Sequence, residues 1–113
     1  KIVVATSSFT ESAEMLLSRA KLRPFVGLIV GGDQVKNAKP APDIYLKAAS
    51  SANVPAQNCM AFEDSDVGTM AAYAAGVPVV QIPDINKPTE ECIALGHLIF
   101  DSLDSARDML GWR

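Results

Sequence analysis

Two short polar segments carry residue types that suit the binding of a phosphate group. Thr6 and Ser7 follow an apolar stretch and precede a helical pattern, where hydroxyls and free backbone N–H groups can hold an anion. Lys39 is followed closely by Pro40 and Pro42, and each proline fixes φ, so the loop can hold the lysine cation at a defined place. Such a point charge neutralises a phosphate. The structural alternatives are helix capping by the hydroxyls and a merely rigid loop around the lysine.

A third segment is acidic and indicates a divalent cation. Glu63, Asp64 and Asp66 lie within four positions at the end of a predicted strand, where clustered carboxylates repel one another. A hard cation relieves that repulsion, and Mg²⁺ prefers one or two carboxylates together with phosphate oxygens and water. The alternative is a set of acids favoured at a helix start, which explains Asp66 better than Glu63.

The elements that position these residues alternate along the chain. Apolar β-branched runs predict five strands, at residues 2–5, 26–30, 59–62, 77–82 and 97–100. Helical spacing predicts five helices, at residues 11–21, 42–53, 67–75, 89–95 and 105–110. Thr10 is the expected N-cap of the first helix, Pro42 the first residue of the second and Gly76 the residue that ends the third.

This alternation predicts an α/β fold of the Rossmann-like, three-layer αβα type with a mainly parallel sheet. In open sheets of this kind, ligands bind at the carboxyl ends of the strands. All three polar segments follow a predicted strand. We therefore expect them to converge on half of a site for a phosphoryl group with Mg²⁺.

Composition excludes several other classes of protein. A length of 113 residues predicts one domain, and 49% hydrophobic with 20% charged residues is an ordinary globular balance. Ten basic and thirteen acidic residues give a net charge of -3, which disfavours nucleic-acid and anionic-membrane partners. The longest apolar run is too short to cross a bilayer. No signal-peptide pattern is visible, and we expect a cytoplasmic protein with Cys59 and Cys92 as two reduced core thiols.

The three segments resemble motifs of the haloacid dehalogenase (HAD) superfamily of phosphohydrolases, in order and in spacing. Residues 3–8 look like its second motif, a strand ending in Ser or Thr, and residues 39–43 look like its Lys-Pro-x-Pro loop. Residues 63–68 look like its fourth, acidic motif. The resemblance covers residues 1 to about 100 and is specific to the branch that includes β-phosphoglucomutase and sugar-phosphate phosphatases.

That resemblance implies a Mg²⁺-dependent phosphatase that acts on a small phosphorylated metabolite such as a sugar phosphate. It implies that Thr6 and Lys39 are catalytic, that Thr6, Ser7 and Lys39 bind the phosphate, and that Glu63 and Asp64 hold Mg²⁺. In such enzymes an aspartate of a first motif attacks phosphorus and forms an aspartyl-phosphate. The other groups provide positioning and charge stabilisation.

The sequence departs from the family pattern in one large respect, since it contains neither a first motif nor a cap region. Residues 64–69 resemble the first motif with one residue inserted, but they follow the Thr and Lys motifs instead of preceding them. We therefore expect residues 1–113 to be the C-terminal portion of a HAD-like core, lacking a central strand between those that end at Thr6 and Phe62. Two exposed apolar strand edges would then favour self-association.

Other functions remain open at this point. A phosphomutase of the β-phosphoglucomutase type shares these motifs, and the isolated residues 1–113 are expected to bind phosphate and metal without turnover. A receiver-type phospho-acceptor module uses the same residue types, but its acidic pair should precede the Thr and the Lys. His97 is expected either to pack or to lie at the surface, and Asp84 is expected in a loop role. Asp43 is expected to pair with Lys47 at the start of its helix.

Overall fold

The computed structural model describes residues 1–112, in which five short strands alternate with five α-helices. The strands are β1 (Val3–Ala5), β2 (Leu28–Val30), β3 (Ala61–Glu63), β4 (Val79–Gln81) and β5 (Leu98–Ile99). The helices are α1 (Thr10–Arg19), α2 (Asp43–Ala52), α3 (Asp66–Ala74), α4 (Glu90–Ile93) and α5 (Leu103–Leu110). Every predicted strand and helix is present, although most are shorter than their sequence patterns. Within the described residues, no helix is long and apolar enough to cross a membrane.

The strands pair in parallel, as predicted, but form two sheets. β1 pairs with β2, with Val4 opposite Ile29, and β3, β4 and β5 form the second sheet, with Phe62 opposite Val80. Among residues 1–112, no strand is hydrogen-bonded between β1 and β3. The gap between the two sheets therefore lies between β1 and β3. This is the position at which the family resemblance implies one further strand.

A shared core holds the two sheets side by side. Helix α2 contacts β1 and β2, α3 contacts β3 and β4, and the two helices contact each other. The small side chains of Ala48, Ala71 and Ala72 let this helical layer lie close to the strands. Ten buried residues form this cluster: Val30, Ile44, Tyr45, Ala48, Ala61, Ala71, Ala72, Ala75, Val77 and Val79. A smaller cluster of Ala13, Val26 and Ile29 lies with α1.

Three predicted details of the helices are wrong. Thr10 is the first residue of α1 and not its N-cap, because Phe9 holds the extended N-cap conformation. Pro42 is the N-cap of α2 instead of its first residue. Asp43 does not pair with Lys47; its Oδ2 accepts hydrogen bonds from the backbone N–H and the side-chain amide of Asn37, at 3.0 and 3.1 Å.

A polar network joins α3 to the second sheet. Gln81 is only 1% exposed; its Nε2 donates to Asp66 Oδ1 at 2.9 Å, and its Oε1 lies 2.7 Å from His97 Nε2. Asp66 Oδ2 accepts from the backbone N–H and hydroxyl of Thr89 at the start of α4. These bonds lower the pKa of Asp66 to about 2. His97 is therefore half-buried against this network.

The prediction that Cys59 and Cys92 are both core thiols is right for Cys92 and only partly right for Cys59. Cys92 is buried beside Gln81, and burial raises the pKa of its thiol to about 11. Cys59 is only partly buried, at the edge of the larger core, and its thiol lies 3.5 Å from the Pro55 carbonyl. Both are free thiols in the structure.

The hydrogen bonds of Gln81 fix the tautomer of His97. Since Gln81 Nε2 donates to Asp66, its Oε1 is an acceptor, and His97 Nε2 must carry the proton. His97 Nδ1 is buried and has no partner among the described residues. Burial lowers the pKa of His97, and the nearby charge of Asp66 opposes that shift only in part.

We expect this histidine to make the free energy of unfolding depend on pH. Because its folded pKa lies below its unfolded value of about 6.5, the unfolded chain takes up the proton first. The stabilisation is therefore complete above that value and is lost as the pH falls through the folded pKa. Urea unfolding between about pH 5 and 7.5 should show this loss, and His97→Gln should flatten it. If the unfolding free energy of the variant fell with pH as steeply as that of the wild type, this role of His97 would be contradicted.

Candidate functional site

A hollow of about 430 Å³ opens at the carboxyl ends of β1 and β3. Parallel strands end at the same edge of their sheets, so the loops that follow them meet there. The structure brings together around this hollow all five residues singled out in the sequence: Thr6, Ser7, Lys39, Glu63 and Asp64. The remaining lining is apolar and comes from Ala5, Phe62, Ile82 and Leu103.

A buried ion pair lines the hollow. Lys39 Nζ lies 2.6 Å from Glu63 Oε1, and the two side chains are 11% and 7% exposed. The hydroxyl of Tyr45, on the first turn of α2, donates to the same carboxylate oxygen. Burial and the charge of Glu63 raise the pKa of Tyr45 well above its usual range, so the hydroxyl keeps its proton. The lysine and both acids line the same hollow.

Helix α3 begins against the Glu63 carboxylate. A Cβ at Gly68 would collide with that carboxylate, so a larger residue there would displace the Glu63 side chain from Lys39 and Tyr45. Ser65 caps the helix, with its Oγ accepting from the Gly68 N–H at 3.1 Å. The acidic turn is therefore held by packing on one side and by a helix cap on the other.

Asp64 differs from Glu63 in its surroundings. Its side chain is exposed at the hollow, and no hydrogen bond or ion pair reaches it from residues 1–112. The described part of the chain contains no group of three or more His, Cys, Asp or Glu side chains arranged around a metal ion. Two adjacent carboxylates nevertheless fit Mg²⁺, which completes its shell with phosphate oxygens and water. Because Lys39 and Tyr45 already occupy Glu63 Oε1, Asp64 offers the freer oxygen atoms.

The loop after β1 leaves the backbone N–H of Ser7 available at the hollow. The Thr6 N–H continues the ladder by donating to the Val30 carbonyl at 3.0 Å, and the Ser8 N–H donates to Thr6 Oγ1 at 3.2 Å. The Ser7 N–H has no acceptor among residues 1–112. An unpaired donor that lines the same hollow as a lysine ammonium can bind an anion together with it.

Sequence reasoning missed Tyr45. Its only signal is its spacing in α2, where Ile44, Ala48 and Ala49 share the buried face, and that spacing indicates a core residue. Its hydroxyl becomes part of the site because β3 places Glu63 against that face. A partner 18 residues away cannot be read from a local pattern.

Comparison with known proteins shows which family has this architecture. The family model described as haloacid dehalogenase-like hydrolase matches residues 1–82. The fructose-1-phosphate phosphatase YqaB of Escherichia coli K12 is 41% identical over 81 residues, which are 72% of this chain and 43% of YqaB. A phosphorylated carbohydrates phosphatase of Thermotoga maritima is 42% identical over 77 residues, 68% of this chain and 36% of that protein.

The fold has a counterpart among solved structures. A Thermotoga maritima protein provisionally described as a β-phosphoglucomutase superposes with a TM-score of 0.86 at 30% identity. The match covers 98% of this chain and 52% of that protein. It confirms the predicted Rossmann-like α/β class.

The chain belongs to the haloacid dehalogenase-like hydrolase family. The family resemblance drawn from the three motifs is thereby confirmed. The chain spans less than half the length of the two curated relatives.

We expect the Lys39–Glu63 pair to behave as a buried pair in a double-mutant cycle. Lys39→Met should cost about 3–5 kcal/mol of unfolding free energy, because it leaves Glu63 buried without its counter-charge. Adding Glu63→Gln should recover part of that loss, and urea unfolding of the four proteins measures the coupling. A loss below about 1 kcal/mol, as for an exposed pair, would contradict the burial.

Tyr45→Phe tests how much the second hydrogen-bond donor to Glu63 contributes to stability. The variant keeps the aromatic packing but removes a hydrogen bond to a buried carboxylate, and we expect a loss of about 1–3 kcal/mol. Tyr73→Phe is the matched control, since Tyr73 is 53% exposed and should change stability by less than about 0.5 kcal/mol. Equal melting temperatures for the two variants would show that the Tyr45 hydroxyl is not needed.

Proposed function

We propose that this chain forms the phosphate- and metal-binding half of a Mg²⁺-dependent phosphatase for small phosphorylated metabolites, with sugar phosphates as the favoured class. The observation that carries the proposal is the convergence of Lys39, the Thr6–Ser7 loop and the two acids on one hollow. Phosphatases of fructose 1-phosphate and of phosphorylated carbohydrates among the relatives support the substrate class.

The phosphate group would be held by three donors. The Ser7 N–H is available, and the hydroxyl of Thr6 lines the hollow beside it. Lys39 Nζ carries three protons, of which one is directed to Glu63, so the others can reach phosphate oxygens. Thr6 and Lys39 would act catalytically, because charge on the transferring phosphoryl group is stabilised by donors already in place.

Asp64 and Glu63 would hold the magnesium ion. When bound, such an ion supplies Lewis-acid stabilisation of the charge on the phosphoryl oxygens. Asp64 would provide the freer carboxylate, and Glu63 would contribute to the metal while anchoring Lys39 through Oε1. Phosphate and cation would thus lie in one hollow, the phosphate held by Lys39 and the cation by Asp64 and Glu63.

The attacking carboxylate is proposed to come from outside residues 1–113. Glu63 already binds Lys39 and Tyr45, and Asp64 is assigned to the metal. On this basis residues 1–113 are the C-terminal portion of a HAD-like core, and the isolated chain binds phosphate without hydrolysing esters. A cytoplasmic location and self-association through strand edges stay predictions.

A phosphomutase is the second candidate. The superposition on the provisionally described β-phosphoglucomutase favours it. Both reactions need the same phosphate and metal groups, so the hollow itself serves either one.

Binding of Mg²⁺ and phosphate tests the proposal directly. In an NMR titration of the 113-residue chain, phosphate with Mg²⁺ should shift the Ser7 amide resonance. Asp64→Asn should weaken Mg²⁺ binding about 10-fold or more, while Asp84→Asn, an exposed acid outside the hollow, should not.

Two outcomes would contradict the assignment. Equal Mg²⁺ affinity of wild type and Asp64→Asn would remove the metal site. Turnover of p-nitrophenyl phosphate by the purified chain alone would show that the attacking group lies within residues 1–113.

A further inference from the structure

The first helix begins without a cap of its own. Phe9 occupies the N-cap position of α1, and its side chain makes no capping hydrogen bond. The first backbone N–H groups of a helix need acceptors from elsewhere. A carboxylate from another segment supplies one: Asp33 Oδ1 accepts from Thr10 N at 2.7 Å and from Thr10 Oγ1 at 2.8 Å.

Asp33 lies in the 3₁₀ turn Gly32–Gln34, directly after β2. Its bonds to Thr10 lower the pKa of its carboxyl group, so it is charged at neutral pH. A negative charge at a helix N-terminus is itself favourable. Gln34 supports the same contact, since its Nε2 donates to Thr10 Oγ1 at 2.7 Å.

The turn also lies directly against the loop at residues 6–9. The Gly32 N–H donates to the Ser8 carbonyl at 2.8 Å. A Cβ at Gly32 would collide with the Ser7 carbonyl, and one at Gly31 would collide with Thr10 and Asp33. Two glycines therefore permit an approach that larger residues would block.

The loop is consequently fixed at one end to β2 and at the other to the turn that follows β2. Its first residue is held by the Thr6 N–H to Val30 bond, and its far end is held by Asp33. The available Ser7 N–H lies between these two anchors. Ordering a residue costs conformational entropy, so a loop ordered in advance binds a ligand more tightly than a mobile one.

We propose that Asp33 is a positioning residue, which orders the Ser7 amide for phosphate by capping α1 from the neighbouring loop. The inference rests on the proposed function, because it assigns phosphate to the Ser7 amide. Asp33 does not line the hollow and acts through Thr10.

The charge of Asp33 and its geometry have opposite effects on an anion. A fixed negative charge near the loop repels phosphate, whereas the capping bonds hold the loop in place. Asp33→Asn keeps an acceptor oxygen and removes the charge, and Asp33→Ala removes both. The two variants therefore separate positioning from repulsion.

Phosphate titrations followed at the Ser7 amide by NMR make the comparison. Asp33→Ala should weaken phosphate binding about 5- to 10-fold, the size of effect expected for losing a helix cap. Asp33→Asn should stay within about 2-fold of wild type. Gly76→Ala is the control for stability alone, since it places alanine at a φ of +77° with no neighbour within 4 Å and should leave phosphate affinity unchanged.

Amide hydrogen exchange gives a readout that does not depend on phosphate. Asp33→Ala should speed exchange at Thr10 and at Ser8, whose amides are hydrogen-bonded in the structure, whereas Gly76→Ala should not do so selectively. Unchanged exchange at Thr10, or tighter phosphate binding by Asp33→Ala, would overturn the positioning role. If phosphate does not shift the Ser7 amide resonance of the wild type, the proposed function loses its anion site. The hydrogen-exchange data then decide by themselves whether Asp33 orders the loop.

Discussion

The buried contact of Lys39, Tyr45 and Glu63 is the interaction on which the rest of the structure depends. Lys39 and Tyr45 belong to the loop and helix packed on β1 and β2, and Glu63 ends β3 in the other sheet. Among the described residues, no strand hydrogen-bonds β1 to β3. The contact therefore joins the two sheets at the edge where their backbones do not pair.

The same contact determines the chemistry that the hollow can perform. Moving a lysine and a glutamate out of water is costly, and their mutual attraction offsets that cost only in good geometry. The benefit is a positive charge held in place before any ligand arrives. Asp64 lies next to this pair but remains solvent-exposed, so anion and cation positions lie side by side. A phosphate ester with a magnesium ion matches that distribution of charge.

Local patterns in the sequence were sufficient for the elements and for the motif residues. Apolar runs located each strand, and the position of the Thr, Lys and acidic segments after predicted strands indicated that they would converge. The roles of Tyr45, Asp33 and Gln81 depend on partners 18, 23 and 15 residues away in sequence. Such contacts arise only when packing brings the segments together. Thr10 is an example. Its residue type is typical of an N-cap, but in the structure it is the first residue of α1, and its hydroxyl donates to the Asp33 carboxylate from another loop.

The most direct measurement is a crystal structure of the chain grown with Mg²⁺ and phosphate. The account predicts phosphate density within hydrogen-bond distance of the Ser7 N–H and Lys39 Nζ, with a metal ion on the Asp64 carboxylate beside it. Phosphate bound elsewhere on the surface, with Lys39 and Asp64 free of ligand at saturating concentrations, would contradict it.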